Sequence, residues 1–333
     1  MKKISVLTYS LVLWMLLGSC IHEYPQEVES KATPVNVTLE LAIDTELPLY
    51  GNFSRSANAA DDLCRRFIVD VYRDGKVLEE KRICTTEATV TAEGTYILPV
   101  SLQLDTQPYT FVVWSDYVQN GSSADLHFQT GQLSNVSLSK PYHNDYRQRE
   151  SFCGSLSVDL TECRNDDSAE FRQRIPLKRP QAKFRIVSTD VDEFITEMRV
   201  RSNGSGSFRN SDAYRIRVSY EYFFPTAYNV VGDVPCGSLT GIGFTAPCSI
   251  VADGDGMCEL VSDFVFTGTD DSYVSLTLEV LNGTDVVISR VTGVQVPCRQ
   301  GHLTVVSGKF LTTLTRPGIS IDTDYDGEFN ITL

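Results

Sequence analysis

Val35-Asn36-Val37-Thr38-Leu39-Glu40-Leu41-Ala42-Ile43 sets the fold class. Val35, Val37, Leu39, Leu41 and Ile43 alternate with Asn36, Thr38, Glu40 and Ala42. Successive side chains of an extended chain point to opposite faces, so this spacing predicts a strand with one buried face. The same pattern recurs on moving outward. Residues 44–63 read as a polar loop holding Gly51, Ser54, Arg55 and Ser56. Phe67, Val69 and Val71 alternate up to Arg73-Asp74-Gly75, and Val77 starts the return; Asp-Gly between two such runs predicts a hairpin. Further strands are expected over 96–104, 108–117, 133–138, 152–160, 172–178 and 181–188. The second half adds 215–223 (ended by Pro225), 259–266, 273–281, 286–296 and 303–314, then a last pair, 319–322 and 328–333, around Asp326-Gly327. Long helical periodicity is not read; a single turn near Thr189 to Phe194, with Asp190 as cap and Glu193 three residues on, is the helix candidate. Many short strands at this spacing predict an all-β chain of β-sandwich domains. A boundary near residue 180 divides it into 34–180 and 181–333.

The amino terminus has a different character. Met1-Lys2-Lys3 precedes a mostly apolar run, Ile4 to Leu17, and then Gly18-Ser19-Cys20. Lysines, a short apolar stretch and small residues are the parts of a secretory signal peptide, here residues 1–19. The apolar run is too short for a bilayer span, which needs about 20 residues. Leu17-Gly18-Ser19-Cys20 is similar to the lipobox of bacterial lipoproteins, whose cysteine carries the lipid (palmitate among its acyl chains). More than one acyl chain makes such anchoring stable. Residues 20–33 then form a tether, of which 21–33 reach at most about 45 Å.

Composition narrows the function. Hydrophobic residues make up 42% of the 333, enough to fill a core. Without the two leader lysines, 27 basic side chains face 43 acidic ones, a net −16. Such a surface repels phosphate backbones, so no nucleic-acid partner is expected. It also disfavours polybasic attachment to anionic lipid, which leaves the lipid on Cys20 as the membrane contact. Setting Cys20 aside, eight cysteines remain: Cys64, Cys84, Cys153, Cys163, Cys236, Cys248, Cys258 and Cys298. An even number in an exported chain suggests disulfides. A three-residue turn at Arg73-Asp74-Gly75 pairs Val71 with Val77 and, counting outward, sets Cys64 opposite Cys84, within disulfide range. A two-residue turn on Asp74-Gly75 puts the two on opposite faces instead. The other six cysteines give no pairing.

Motifs for chemistry are missing. His22, His127, His143 and His302 form no HExxH pattern, and the cysteines lack paired CxxC spacing, so no metal or cofactor is expected. Asn203-Gly204-Ser205-Gly206-Ser207 lacks the P-loop lysine. No GxSxG elbow is present. Asp322, Asp324, Asp326 and Gly327 match the opening of a calcium loop, but its twelfth position is Leu333 instead of Glu, and an acidic hairpin explains the same residues. An enzyme is not expected. Trp114, Tyr117, Tyr222, Phe223, Phe224 and Tyr228 suggest either a glycan-binding aromatic platform or, more simply, sandwich core.

Five short segments carry a family resemblance. They are Cys20-Ile21-His22-Glu23-Tyr24-Pro25, Val69-Asp70-Val71-Tyr72-Arg73, Val113-Trp114-Ser115-Asp116-Tyr117-Val118, Lys178-Arg179-Pro180-Gln181-Ala182-Lys183-Phe184 and Tyr222-Phe223-Phe224-Pro225-Thr226-Ala227-Tyr228-Asn229. In this order the chain resembles the fimbrillin-like lipoproteins of Bacteroidales, which include pilus anchor and tip subunits. The resemblance implies two transthyretin-like antiparallel β-sandwich domains in tandem, attachment to the outer membrane, and a role in pilus assembly or adhesion. It implies other pilus subunits as partners, joined by strand exchange, with a host or glycan ligand as a further expectation. Val35, Val37, Leu39, Leu41 and Ile43 would form the exchangeable strand, and Arg55 in the following loop is either a candidate processing site or a plain solvated loop arginine. Ile319, Ile321, Phe329, Ile331 and Leu333 have the alternation of a donor, and equally that of a hairpin closing its own domain. The alternative to a fimbrial role is a surface glycan-binding lipoprotein.

Overall fold

The computed structural model describes residues 34–43, 63–85, 89–90, 96–142, 148–165, 170–201, 214–312, 320–321 and 328–332. Within them the chain is all-β apart from one helix and short 3-10 turns. The strands of the first half are β1 (Val35–Ile43), β2 (Leu63–Arg73), β3 (Lys76–Thr85), β4 (Thr89–Val90), β5 (Tyr96–Leu104), β6 (Pro108–Gln119), β7 (Phe128–Gln129), β8 (Val136–Leu138), β9 (Phe152–Asp159) and β10 (Glu170–Leu177). Then come β11 (Gln181–Ser188), helix α1 (Val191–Arg201), β12 (Tyr214–Tyr220), β13 (Phe224–Asn229), β14 (Val234–Leu239), β15 (Gly243–Cys248) and β16 (Cys258–Phe266). The last are β17 (Ser272–Leu281), β18 (Val287–Cys298), β19 (Leu303–Gly308), β20 (Ser320–Ile321) and β21 (Glu328–Thr332).

They form five sheets, ordered β10-β1-β5-β4, β3-β2-β6-β9, β14-β13-β8-β7, β16-β11-β19-β21-β20 and β15-β12-β17-β18. The expected sandwiches were antiparallel. Two sheets are instead mixed, because β1 runs parallel to β10, and β19 runs parallel to both β11 and β21. Alternation reports which face a strand buries and is blind to the direction of its neighbours.

Two hydrophobic clusters fill the interior. One lies between the sheets of β1 and β2, with Val35, Val37, Leu39, Leu41 and Ile43 facing Phe67, Val69, Val71, Phe111 and Val113. The other takes the opposite side of β2 and β6, through Ile68, Val112 and Trp114, together with strands from β11 onward. Sheet β3-β2-β6-β9 is therefore buried on both faces at its centre, and the run from Cys64 to Val71 is buried without a break. Strands from either side of residue 180 also share a sheet, since Val136 and Ser137 of β8 pair with Tyr228 and Ala227 of β13.

Local differences from expectation have local causes. Residues 133–138 divide into a 3-10 turn, Leu133–Asn135, and β8. The strand expected over 303–314 ends at Gly308, because Asp190 draws the chain away: its carboxylate accepts from the amides of Leu311 and Thr312 and from the Thr312 hydroxyl at 2.7–3.3 Å. That carboxylate does not cap a helix. The helix itself is longer than the single turn expected, because Val191, Phe194, Ile195 and Met198 recur at helical spacing and pack on the core. Pro225 does not end the strand region; it sits in β13 beside an irregular register, where an amide donor is not needed. Strands β14 and β15 went unread, and β14 is largely exposed, so it lacks an apolar signature.

Candidate functional site

Strand β1 lies in the middle of its sheet. It pairs antiparallel with β5, from Val35 opposite Leu104 to Ile43 opposite Tyr96, and parallel with β10, from Asn36 opposite Glu170 to Ile43 opposite Leu177. Both rows of its backbone groups are thus engaged. Val35, Val37, Leu39, Leu41 and Ile43 are all at or below 2% exposure. Asn36 on the other face is exposed, and its Oδ1 accepts from Gln103 Nε2 at 3.3 Å.

Burying five aliphatic side chains contributes on the order of 10 kcal/mol, at about 1.5–3 kcal/mol each. Removing β1 opens a slot bounded by two unpaired strand edges and floored by Phe67, Val69, Val71, Phe111 and Val113. An edge strand leaves one row of unpaired groups; a middle strand leaves two. Such a slot is matched by an extended segment with the same alternation, which restores both ladders and the core at once.

The segments flanking β1 carry Cys20 and Arg55, which lie outside the described residues. Of the carboxy-terminal donor residues, Ile321 pairs with Ile331 in the β20–β21 hairpin, and β21 lies against β19, so this segment completes its own sheet. Ile319, Leu333 and the calcium-loop residues Asp322, Asp324, Asp326 and Gly327 lie outside the described residues, as do His22, His143 and Asn203 to Ser207. His127 contacts Gln148 at 3.0 Å, and His302 Nδ1 contacts the Gln300 carbonyl at 2.7 Å. Among the described residues, no group of three or more His, Cys, Asp or Glu side chains is placed to hold a metal. No helix among them is long and apolar enough to cross a membrane.

The β2–β3 hairpin corrects the expected register. Its turn has two residues, Asp74 and Gly75, at φ of 50° and 73°. Positive φ at both central positions is the primed turn favoured in hairpins. An irregularity between Val71 and Tyr72 shifts the ladder further, so Val71 faces Glu79 instead of Val77, and Cys84 faces Arg66 instead of Cys64. The shift leaves Cys64 and Cys84 diagonal, two positions apart in register. Cys153, Cys163, Cys236, Cys248, Cys258 and Cys298 are free thiols; Cys64 is not among these.

The aromatic candidates separate. Trp114, Phe224 and Tyr228 are fully buried, with Trp114 edge-on to Phe128 at 5.2 Å. Tyr117 lies under the Arg65 guanidinium, 4.0 Å from its centroid. Tyr222 and Phe223 are 66% and 72% exposed.

Pattern reading missed the buried charges of β2 and β6. Arg66 holds Asp116 in a two-pronged pair at 2.9 and 2.7 Å, and a third nitrogen reaches Asp125 at 2.9 Å. Burial pushes the Asp116 carboxyl up against the pull of Arg66. Burial also opposes the charge on Asp125, but hydrogen bonds from Thr130 and Arg66 outweigh it and hold that carboxyl below the usual range. Arg65 and Arg179 share Glu150, and Arg149, Tyr142 and Tyr220 converge on Asp263. These pairs tie β2, β6 and β16 to the segments packed on them.

Fold and slot together define an all-β chain of stacked, mixed sheets with an amphipathic amino-terminal strand inserted between two partners. Residues 28–333 match DUF6562, a family of unknown function, and the chain belongs to that family. No curated protein matches it in sequence. Among solved structures it is similar to a candidate adhesin from Bacteroides ovatus, at 12% identity and TM-score 0.43, over 90% of this chain and 89% of that one. It is similar to the fimbrial anchor protein Mfa2 from Porphyromonas gingivalis, at 14% and 0.39, over 77% and 81%. A fimbrial assembly protein from Parabacteroides distasonis gives 9% and 0.38, over 83% and 91%. Likeness this distant carries no functional argument.

Proposed function

We propose that this chain is a lipid-anchored fimbrial subunit or assembly protein of a bacterial outer membrane, joined to its partners by exchange of β1. The observation that carries the reading is the central position of β1, an amino-terminal strand whose five apolar side chains are buried between two neighbouring strands. The leader and Cys20 supply the anchor, and Arg55 supplies the cut that would free β1 in a polymerising subunit. On this reading the halves either side of residue 180 are two transthyretin-like sandwiches that share the β8–β13 ladder, and the role is structural and not enzymatic. Mass spectrometry of amino termini and crosslinked partners from native envelopes tests this. An anchor retains lipidated Cys20 in fibres, and a stalk subunit begins at Ser56. A chain that is always lipidated, monomeric and free of pilin partners overturns both.

A Cys64–Cys84 disulfide belongs to the same reading. Its support is the diagonal register of the two positions and the absence of Cys64 from the free thiols. Non-reducing peptide mapping that recovers both as alkylated thiols removes it.

The exposed pair Tyr222-Phe223 favours a second reading, a surface glycan-binding lipoprotein. On that reading a Tyr222→Ala/Phe223→Ala variant loses glycan retention at unchanged melting temperature, and equal retention by both proteins rejects it.

A further inference from the structure

Cys248 ends β15 and Cys258 begins β16, so the two bracket the loop 249–257. The strands belong to different sheets: Cys248 is registered with Tyr214 in one, Cys258 with Ser188 in the other. Both side chains are buried in the larger core cluster, and both are free thiols. Cys258 Sγ lies 3.3 Å from the carbonyl of Ser249, the residue after Cys248, and the two thiols shift one another's titration. The loop is pinned by Asp253: its carboxylate accepts from the amides of Asp255 at 3.0 Å and Met257 at 2.9 Å, and its own amide donates to the Met257 carbonyl at 2.7 Å. Two buried cysteines at the facing ends of an ordered nine-residue loop, one sulfur against the backbone beside the other cysteine, are placed to meet in a disulfide.

We propose that Cys248 and Cys258 are a redox pair whose disulfide staples the β15 sheet to the β16 sheet across the loop 249–257. The oxidant is a disulfide-bearing thiol oxidant, either a protein or oxidised glutathione. The Cys258 thiolate attacks one sulfur of the oxidant's disulfide, forming a mixed disulfide and displacing one thiolate. Cys248 then loses its proton and attacks Cys258 Sγ, displacing the second thiolate. Two electrons pass from the pair to the oxidant, and two protons go to the two released thiolates, so the oxidant leaves fully reduced.

The asymmetry of the pair suits this order. The hydrogen bond from Cys248, helped by the Val251 amide, outweighs burial and brings the Cys258 thiol down, which makes it the readier nucleophile of the two. The same bond, with burial, holds the Cys248 thiol well up. The proposal goes beyond strand exchange and does not depend on it.

The test uses the purified full chain, equilibrated with oxidised glutathione, alkylated under denaturing conditions and digested without reduction. Cleavage before Asp253 and Asp255 separates the two cysteines, and chymotryptic cleavage after Leu239 or Phe244 separates Cys236 from Cys248. The expected product is a Cys248 peptide linked to a Cys258 peptide and lighter by two hydrogens than the reduced pair. Recovery of both as alkylated thiols, or linkage of Cys248 to Cys236, overturns the proposal. A Cys248→Ser/Cys258→Ser variant under the same oxidation should melt about 5 °C lower than the bridged protein; an equal melting temperature also counts against it. Because the readout needs no export and no partner, a wrong assignment of location or assembly leaves it intact.

Discussion

Arg66 has no exposed surface, yet it is charged, and each of its three guanidinium nitrogens donates: four bonds in all, two to Asp116, one to Asp125 and one to the Ser123 carbonyl. Removing one partner of a buried pair strands the other, which costs about 3–5 kcal/mol. Arg66→Met is therefore expected to lower the urea-derived stability by that amount, with much of the loss recovered in Arg66→Met/Asp116→Leu; additive losses would show the charges are uncoupled. Asp125 adds a pH dependence of known sign. Its carboxyl titrates below the usual range in the fold. Its contribution is thus present at neutral pH and lost as pH falls through the ordinary carboxylate range and below it. Asp125→Asn should be less stable than the parent at pH 7 and converge with it in acid. Periodicity passes over such residues because an arginine in a strand scores as a solvent-facing position. Its burial is set by the second layer packed on that face.

At the scale of elements, β1 was legible because one of its faces is wholly apolar, and the structure buries Val35, Val37, Leu39, Leu41 and Ile43 as the alternation implies. Its neighbours were not legible, since pairing with β10 joins segments more than a hundred residues apart. The hairpin shows the same divide: Asp74-Gly75 announced a turn, but its length and the irregularity beside Val71 determine the register, and these shifted Cys84 to face Arg66. The slot reading makes a face-specific prediction. Leu39→Ala should cost about 2–5 kcal/mol, as deletions in a packed core do. Thr38→Ala on the other face should stay within about 1 kcal/mol. In a chain cut after Arg55, Leu39→Ala should also speed replacement of β1 by an added Val35–Ile43 peptide, read as fluorescence anisotropy of the labelled peptide. Equal exchange rates for the two variants would deny β1 its role as the removable strand.

At the scale of the molecule, the boundary read near residue 180 meets a sheet that both halves use. Phe67 and Val69 on β2 face the β1 core, whereas Ile68 between them faces the other core, as does Trp114 on β6. Trp114 also packs on Phe128 and Phe266, from either side of that boundary. A strand buried on both faces transmits loss of one core to the other, because the ladder that positions Phe111 and Val113 also positions Val112 and Trp114. Sequence could not show this: alternation along β2 and β6 continues whether the second face meets water or a second layer. The chain carries its own probe. The other tryptophan is Trp14, so a chain of residues 20–333 contains Trp114 as its single tryptophan. Trp114 faces away from β1, yet Leu39→Ala should lower the denaturant midpoint of Trp114 fluorescence and of far-ultraviolet circular dichroism together. Val294→Ala, in the other core, should shift both signals in the same way. If Leu39→Ala leaves the Trp114 transition where it was, the two cores unfold independently, and loss of β1 would leave the second half untouched. If the midpoints move together, withdrawal of β1 weakens the whole body, and the proposed strand exchange requires an incoming segment to fill the slot as β1 leaves it.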